Sequence, residues 1–127
     1  MDVEFLKKFL LTTLVFVGID FVWLGIIARK FYEKWLGSFE RTVNIPAAIL
    51  TYLVIPLGIA IFTLNKSGTN SLTFFLRGAL FGAIVYATYD LTNLATLKGW
   101  SVQMAIVDTL WGALLSGITV LIVSRIL

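Results

Sequence analysis

The chain has 127 residues, of which 59% are hydrophobic, with a mean hydropathy of +0.96 and a formal net charge of +3. A soluble domain of this length cannot bury so much apolar surface, so the composition predicts an integral membrane protein. The absence of cysteine and histidine excludes disulfides, thiol catalysis and iron–sulfur clusters, and it removes the commonest metal ligand and general base.

Four stretches are apolar enough to cross a bilayer, since a transmembrane helix needs roughly 20 residues. They cover residues 6–27, 45–64, 72–97 and 102–126. In the first, Lys7 and Lys8 precede an apolar run as in a signal peptide, but the run is long, Asp20 and Trp23 interrupt it, and no small-residue cleavage site follows. We therefore expect a retained helix, and a single transmembrane domain over residues 1–127 that folds as an all-α four-helix bundle with both termini on one side.

Residues 28–41, between the first and second spans, are amphipathic. Large apolar side chains recur at helical spacing, while charged ones occupy the other face: Phe31, Tyr32, Trp35, Leu36 and Phe39 against Arg29, Lys30, Glu33 and Lys34. This pattern predicts a short helix in the membrane interface. It is either an aromatic anchor or a lid over a site, with Phe31, Tyr32, Trp35 and Phe39 as the candidate lid residues.

Proline and glycine set several further expectations. Pro56 falls in the middle of the second span, removes one backbone donor and predicts a bend. Polar turns at residues 65–70 and 98–101 predict antiparallel neighbouring helices. Two pairs of small residues predict close helix packing, within the bundle or between subunits: Gly78 with Gly82, and Gly112 with Ser116.

The distribution of lysine and arginine does not predict the orientation of the chain in the membrane. Five lysines and arginines fall on the side of the termini and five on the opposite side: Lys7, Lys8, Lys66, Arg77 and Arg125 against Arg29, Lys30, Lys34, Arg41 and Lys98. An even division carries no positive-inside signal.

Three aspartates interrupt the first, third and fourth spans. Asp20, Asp90 and Asp108 each lie about two turns from the end of their span, on the side opposite the termini. At a rise of 1.5 Å per residue, each is roughly 10 Å below that interface. An acidic residue at the centre of a membrane helix costs about 2.5–3.5 kcal/mol on insertion scales. Three at one depth therefore predict a shared site.

Polar and aromatic residues accompany these aspartates at helical spacing. Tyr86, Tyr89 and Asn93 lie near Asp90, and a D-x-x-W pattern links Asp20 to Trp23 and Asp108 to Trp111 on helices of opposite direction. The repeated D-x-x-W pattern is a short match to an inverted repeat. The candidate ligand- and proton-binding residues are Asp20, Asp90, Asp108, Asn93, Tyr86, Tyr89, Trp23 and Trp111. A purely structural role would make each aspartate a helix–helix hydrogen bond of about 0.6 kcal/mol.

Three functions are compatible with this pattern. The favoured one is binding or transport of a proton, a cation or a small cationic solute. A second is a membrane enzyme that acts on a lipid-linked substrate, with Mg²⁺ or Mn²⁺ on Asp20, Asp90 and Asp108. A third is a non-catalytic accessory subunit that docks a partner through Gly78 and Gly82. No catalytic motif or cofactor is identifiable, so a role other than catalysis is favoured.

The run Tyr89-Asp90-Leu91-Thr92-Asn93-Leu94-Ala95-Thr96-Leu97-Lys98-Gly99-Trp100, followed by Asp108-Thr109-Leu110-Trp111-Gly112, resembles a bacterial family of predicted membrane proteins of unknown function, DUF2177. Asp20 with Trp23 resembles the first helix of that family, and the resemblance covers essentially the whole chain. It implies a four-helix membrane protein and supplies no activity.

Size alone also resembles small four-helix transporters and ion channels, some of which are dimers. The expected partners are membrane lipids and a second copy of the chain. Nucleic acid is not expected, because the small positive charge is spread over loops. The expected location is the prokaryotic plasma (inner) membrane.

Overall fold

The computed structural model describes residues 2–36, 44–64 and 70–127. Its helices are α1 (Val3–Val22), which a π-helical turn (Trp23–Ile27) continues, α2 (Arg29–Leu36), α3 (Ile45–Phe62), α4 (Ser71–Thr96) and α5 (Val102–Ile126). Four are long and apolar enough to cross a membrane: α1 with its π-helical turn, α3, α4 and α5. The predicted all-α four-helix membrane bundle is confirmed. We call the end where α1 begins and α5 ends the terminal end, and the opposite end the far end.

Each long helix begins at a polar residue whose side chain accepts a hydrogen bond from the backbone N–H three residues later. These caps satisfy donors that have no partner within the helix. The capping pairs are Asp2 with Phe5, Asn44 with Ala47, Asn70 with Thr73 and Ser101 with Met104. Between α4 and α5, Gly99 adopts a φ of 87°. Glycine takes this left-handed conformation without strain, so the chain reverses direction within a few residues.

The closest helix packing joins α4 to α5. A Cβ added to Gly78 would lie 2.6 Å from the carbonyl oxygen of Ser116, and one added to Gly82 would meet Gly112 and Ser116. The two predicted pairs of small residues therefore pack against each other within one chain. Because Gly78 and Gly82 are buried there, they form no free surface for a partner, and an accessory subunit would have to dock elsewhere.

The apolar core lies towards the terminal end, where α1, α3 and α5 meet. Its buried members are Phe16, Ile59, Leu64, Leu115, Val120 and Val123. Outside this core, large aliphatic side chains remain exposed along every long helix, Leu14, Leu53, Leu80 and Leu110 among them. A bilayer covers such surfaces, which explains why they are tolerated.

Helices α3 and α4 contact each other on the side towards the terminal end. There the Phe81 ring lies against Gly58 and stacks on Phe62, with ring centroids 6.3 Å apart. Towards the far end, α3 packs on α1 while α4 packs on α5, and a cleft separates α3 from α4. Pro56 lies just beyond the contact, where it has no amide hydrogen for the carbonyl of Tyr52. The bend predicted there stays a prediction.

The amphipathic segment forms a helix, α2, as its pattern predicts. Arg29 pairs with Glu33 at 3.3 Å on the exposed face, and Phe31 stacks on Trp35 at 5.5 Å. Tyr32 points inward to the far end of the bundle, where it bonds to α5. Phe39, the remaining candidate lid residue, lies outside the described residues.

Candidate functional site

The three predicted aspartates are all buried at the far end of the bundle. Their exposed fractions are 6% for Asp20, 0% for Asp90 and 8% for Asp108. The carboxyl groups of Asp90 and Asp108 come within hydrogen-bonding range of each other. Asp20 and Asp108 line the same cleft. The structure thus brings side chains from α1, α4 and α5 into one cluster, which we call the carboxylate cluster.

Asp20 accepts two hydrogen bonds from neighbouring helices. The Tyr52 hydroxyl donates to Oδ2 at 2.6 Å, and the Trp111 indole N–H donates to Oδ1 at 2.9 Å. Both carboxylate oxygens therefore have a donor, and α1 is tied to α3 and α5. Both donors are neutral, so neither supplies a positive charge to Asp20.

A tyrosine of α2 holds Asp108 in place. The Tyr32 hydroxyl donates to Asp108 Oδ1 at 2.8 Å and accepts a hydrogen bond from the Trp23 indole N–H at 3.1 Å. Burial raises the pKa of Tyr32, and the negative charge of Asp108 raises that pKa further. Tyr32 therefore remains a neutral donor in this position.

The two D-x-x-W segments meet face to face. Trp23 and Trp111 stack with ring centroids 4.3 Å apart and an interplanar angle of 9°. Trp111 of α5 donates to Asp20 of α1, while Trp23, the first residue of the π-helical turn that follows α1, reaches Asp108 of α5 through Tyr32. The repeated D-x-x-W pattern thus corresponds to reciprocal contacts between two helices that run in opposite directions.

Asp90 is the least satisfied of the three aspartates. Thr109 Oγ1 donates to its Oδ2 at 3.3 Å, whereas its buried Oδ1 has no hydrogen-bond donor among the described residues. A buried acceptor without a donor costs about 1–3 kcal/mol. A proton held between Asp90 and Asp108 would supply the missing bond, as in carboxyl pairs that share one proton.

The other predicted residues lie around the carboxylate cluster. Tyr86 packs its ring against Gly112 and lines the cleft. Tyr89 also lines the cleft, is 56% exposed and makes an edge-on contact with Trp100 at 6.0 Å. Asn93 comes within hydrogen-bonding range of Tyr89. Asn93 therefore supports Tyr89 at the rim of the cleft, and no hydrogen bond joins its side chain to an aspartate among the described residues.

Three contributors to the site were not predicted as such. Tyr52 and Thr109 were not among the candidates, and Tyr32 was expected in a lid rather than on Asp108. One signal pointed to Tyr52, because a tyrosine within an apolar span needs a hydrogen-bond partner for its hydroxyl. No local signal pointed to the other two roles.

The cleft has a volume of about 640 Å³ and lies between α3 and α4. Asp20 and Asp108 form its polar floor, and mostly apolar side chains form its walls. Its full lining is Phe16, Asp20, Ala48, Leu50, Thr51, Tyr52, Val54, Ile55, Val85, Tyr86, Tyr89 and Asp108. Both the volume and the mixture of apolar walls with a few polar groups are typical of small-molecule sites.

No lysine or arginine neutralises the carboxylate cluster in the part of the chain that the structure describes. The ion pairs there join Lys7 to Glu4 and Arg29 to Glu33, away from the three aspartates. Nor do three acidic side chains converge there closely enough to hold a metal ion. A Mg²⁺ or Mn²⁺ site on the aspartates stays a prediction, which this arrangement does not favour.

The comparisons with known proteins bear on the whole chain. The family model of DUF2177, described as a predicted membrane protein, matches residues 5–124. Comparison with curated proteins and with solved structures found no match. The matched region includes the three aspartates and the aromatic residues that bond to them. The chain is therefore an integral membrane protein that belongs to the DUF2177 family.

Proposed function

We propose that this protein binds a proton and a small cationic solute at the carboxylate cluster and transports them across the membrane. One observation carries the proposal: the cluster is buried, has no cationic partner among the described residues, and forms the floor of a cleft. Intramembrane acidic residues of this kind mark ion and proton pathways in membrane proteins.

The electrostatic argument concerns the missing counter-charge. Tyr32, Tyr52, Trp111 and Thr109 give hydrogen bonds to the aspartates but carry no positive charge. Burying an unpaired charge is costly, so such a group takes up a proton or pairs with a cation. Protons and cationic solutes therefore compete for one cluster, and that competition is the basis of coupled exchange.

The geometry divides the roles among the aspartates. Asp20 and Asp108 line the cleft and are the residues that would contact a cationic solute. Asp90 lies behind Asp108, within hydrogen-bonding range of it, and would hold the proton that is exchanged. The Tyr52 and Tyr86 rings in the cleft wall add aromatic surface that favours a cation.

Proton release on cation binding tests this function. Tetramethylammonium is added to purified protein in weakly buffered detergent solution, and a pH indicator reports the protons released. We expect release from the parent protein and a loss of at least tenfold in Asp108→Asn and Asp20→Asn. When one proton is exchanged for one cation, the apparent Kd rises up to about tenfold for each pH unit of acidification.

Asp2→Asn is the matched control, because it makes the same change at an exposed helix cap outside the cleft, where asparagine also caps well. It should release protons as the parent does. Equal release from Asp20→Asn, Asp90→Asn and Asp108→Asn would refute the proposed function.

The proposal also covers the location of the protein and its partners. We propose the prokaryotic plasma membrane as the location, with lipids and a second copy of the chain as partners. The enzyme alternative finds less support, because no described lysine or arginine forms an ion pair with the aspartates, where a phosphate group would be held.

A further inference from the structure

We infer that the solute is an amphipathic monovalent organic cation, which enters the cleft sideways from the lipid between α3 and α4. In this arrangement its cationic group contacts Asp20 and Asp108, and its apolar tail lies between the two helices. The inference rests on the proposed function and names the class of solute that this function requires.

The size of the cleft argues against a bare ion. A water molecule occupies about 30 Å³ in the liquid, and pockets for small organic molecules span about 300–1,000 Å³. The cleft, at about 640 Å³, falls within the second range. An inorganic ion with a few waters would fill only a small part of this volume.

The distribution of side chains argues for an amphipathic ligand. Leu50, Val54 and Val85 line the walls, while the two carboxylates lie at the floor. A hydrated ion would leave the walls against water, which is unfavourable by about 25 cal/mol for each Å² of apolar surface. An organic cation with a tail satisfies both regions at once.

The packing of α3 and α4 gives the direction of entry. The helices are in contact through Phe62, Phe81 and Gly58, on the terminal side of the cleft. At the cleft itself, Leu50 and Val54 of α3 are 60% and 61% exposed. Because these exposed side chains are apolar and belong to a candidate membrane span, the opening faces lipid.

Asp90 supplies an independent indication of a ligand. Its side chain is fully buried, its Oδ1 has no donor among the described residues, and its carboxyl group faces that of Asp108. The cluster is therefore incomplete without a proton or a cation. A cationic group at Asp108 would pair with its carboxylate and take the place of the proton that Asp90 and Asp108 share.

A homologous series of cations tests the inference. Binding of alkyltrimethylammonium ions, from tetramethylammonium to hexyltrimethylammonium, is measured by calorimetry with the protein in phosphatidylcholine nanodiscs. Each methylene that enters the cleft should tighten binding by about fourfold. Empty nanodiscs and Asp108→Asn nanodiscs give the contribution of simple partition into lipid, which is subtracted.

The second measurement uses a variant in which a larger side chain fills part of the cleft. Val85→Trp places a large ring in the cleft wall and should weaken hexyltrimethylammonium binding at least tenfold while it changes tetramethylammonium binding less than threefold. Leu80→Trp is the matched control, because Leu80 lies on the same helix, is 64% exposed and does not line the cleft. Gel filtration and helical circular dichroism verify that both variants are folded.

The outcomes separate the two proposals. Affinity that does not rise with tail length, together with intact proton release, overturns the amphipathic solute and leaves the proposed function standing. Equal loss of both cations in Val85→Trp overturns the lateral position of the tail. An absence of proton release with every cation of the series overturns the proposed function as well.

Discussion

Asp20 and Asp108 are held by side chains of other helices, and among the described residues every side chain that bonds to them is a neutral donor. Hydrogen bonds between membrane helices average only about 0.6 kcal/mol. The two bonds to Asp20, which join membrane helices, therefore contribute little stability, whereas the bond to Asp108 comes from α2, outside the spans. All three fix the direction in which each carboxylate faces. Under the proposed function, this arrangement would leave the carboxylates available to a cation and restrict the positions that the cation can occupy.

Tyr32 connects two parts of the site, because its hydroxyl accepts a hydrogen bond from the Trp23 indole and donates one to Asp108. We expect Tyr32→Phe to remove both bonds and to loosen α2 from the bundle. Hydrogen bonds to charged groups are worth about 1.5–3 kcal/mol, so amide exchange in α2 should accelerate about tenfold or more. Hydrogen–deuterium exchange with mass spectrometry measures this rate.

The control for this prediction is Tyr89→Phe, which removes the hydroxyl of a tyrosine that lines the cleft. Tyr89 lies within hydrogen-bonding range of Asn93 on α4, and its substitution is not expected to affect α2. Unchanged exchange in α2 of Tyr32→Phe would mean that the Tyr32 hydroxyl does not hold this helix.

Among the elements, the π-helical turn after α1 has a specific effect. The Ala28 N–H donates to the Trp23 carbonyl at 2.7 Å, five residues earlier, instead of four as in an α-helix. Single π-helical turns occur often at functional sites. Here the turn joins Trp23 directly to the chain that leads into α2, so the two bonding partners Trp23 and Tyr32 fall on adjacent elements.

The bundle consists of two helix pairs, α1 with α3 and α4 with α5, which are joined through α1 and α5. The glycine contacts bring α4 against α5 so closely that this pair acts as a fixed wall of the cleft. Helix α3 has no comparable contact with α4 beside the cleft. Any widening of the cleft should therefore move α3 rather than α4.

Substitution of a glycine at the contact between α4 and α5 tests whether this close packing stabilises the fold. Gly82→Ala adds a methyl group that would meet the backbone of Gly112 and the side chain of Ser116, and overpacking of this kind costs about 1–3 kcal/mol. We expect the free energy of unfolding, measured by titration with sodium dodecyl sulfate, to fall by that amount.

Gly18→Ala is the matched control, because no atom lies within 4 Å of an added Cβ at Gly18. It should leave stability unchanged or raise it by up to about 1 kcal/mol through helix propensity. If the two alanine variants were equally stable, the close approach of α4 and α5 would not contribute to the fold.

For the whole molecule, a single chain supplies all three aspartates and both walls of the cleft. We therefore expect nanodiscs that contain one chain to bind one cation each, with the same Kd as discs that contain two. Mass photometry counts the chains, and calorimetry gives the stoichiometry. A Kd at least tenfold weaker in single-chain discs would show that a second copy completes the site; the homodimer itself stays a prediction.

The sequence by itself was sufficient for the membrane class, the four long helices and the short α2. These features follow from hydropathy, cap residues and helical spacing, which act over a few neighbouring residues. The same local rules brought Asp20, Asp90 and Asp108 to one level, because the rise of a helix is constant. Trp23 and Trp111 were candidates for the same reason, as they follow an aspartate by three residues.

Only the tertiary structure decided which groups meet. The rotation of each helix about its axis determines that Tyr52 faces Asp20 and that Thr109 faces Asp90, and rotation depends on contacts between distant residues. The same is true of the cleft, which exists because Phe81 reaches Gly58 and Phe62 at one end while α3 and α4 separate at the other. Sequence patterns were sufficient for the depth of the carboxylates, whereas long-range packing determined their hydrogen-bond partners and the cleft that they line.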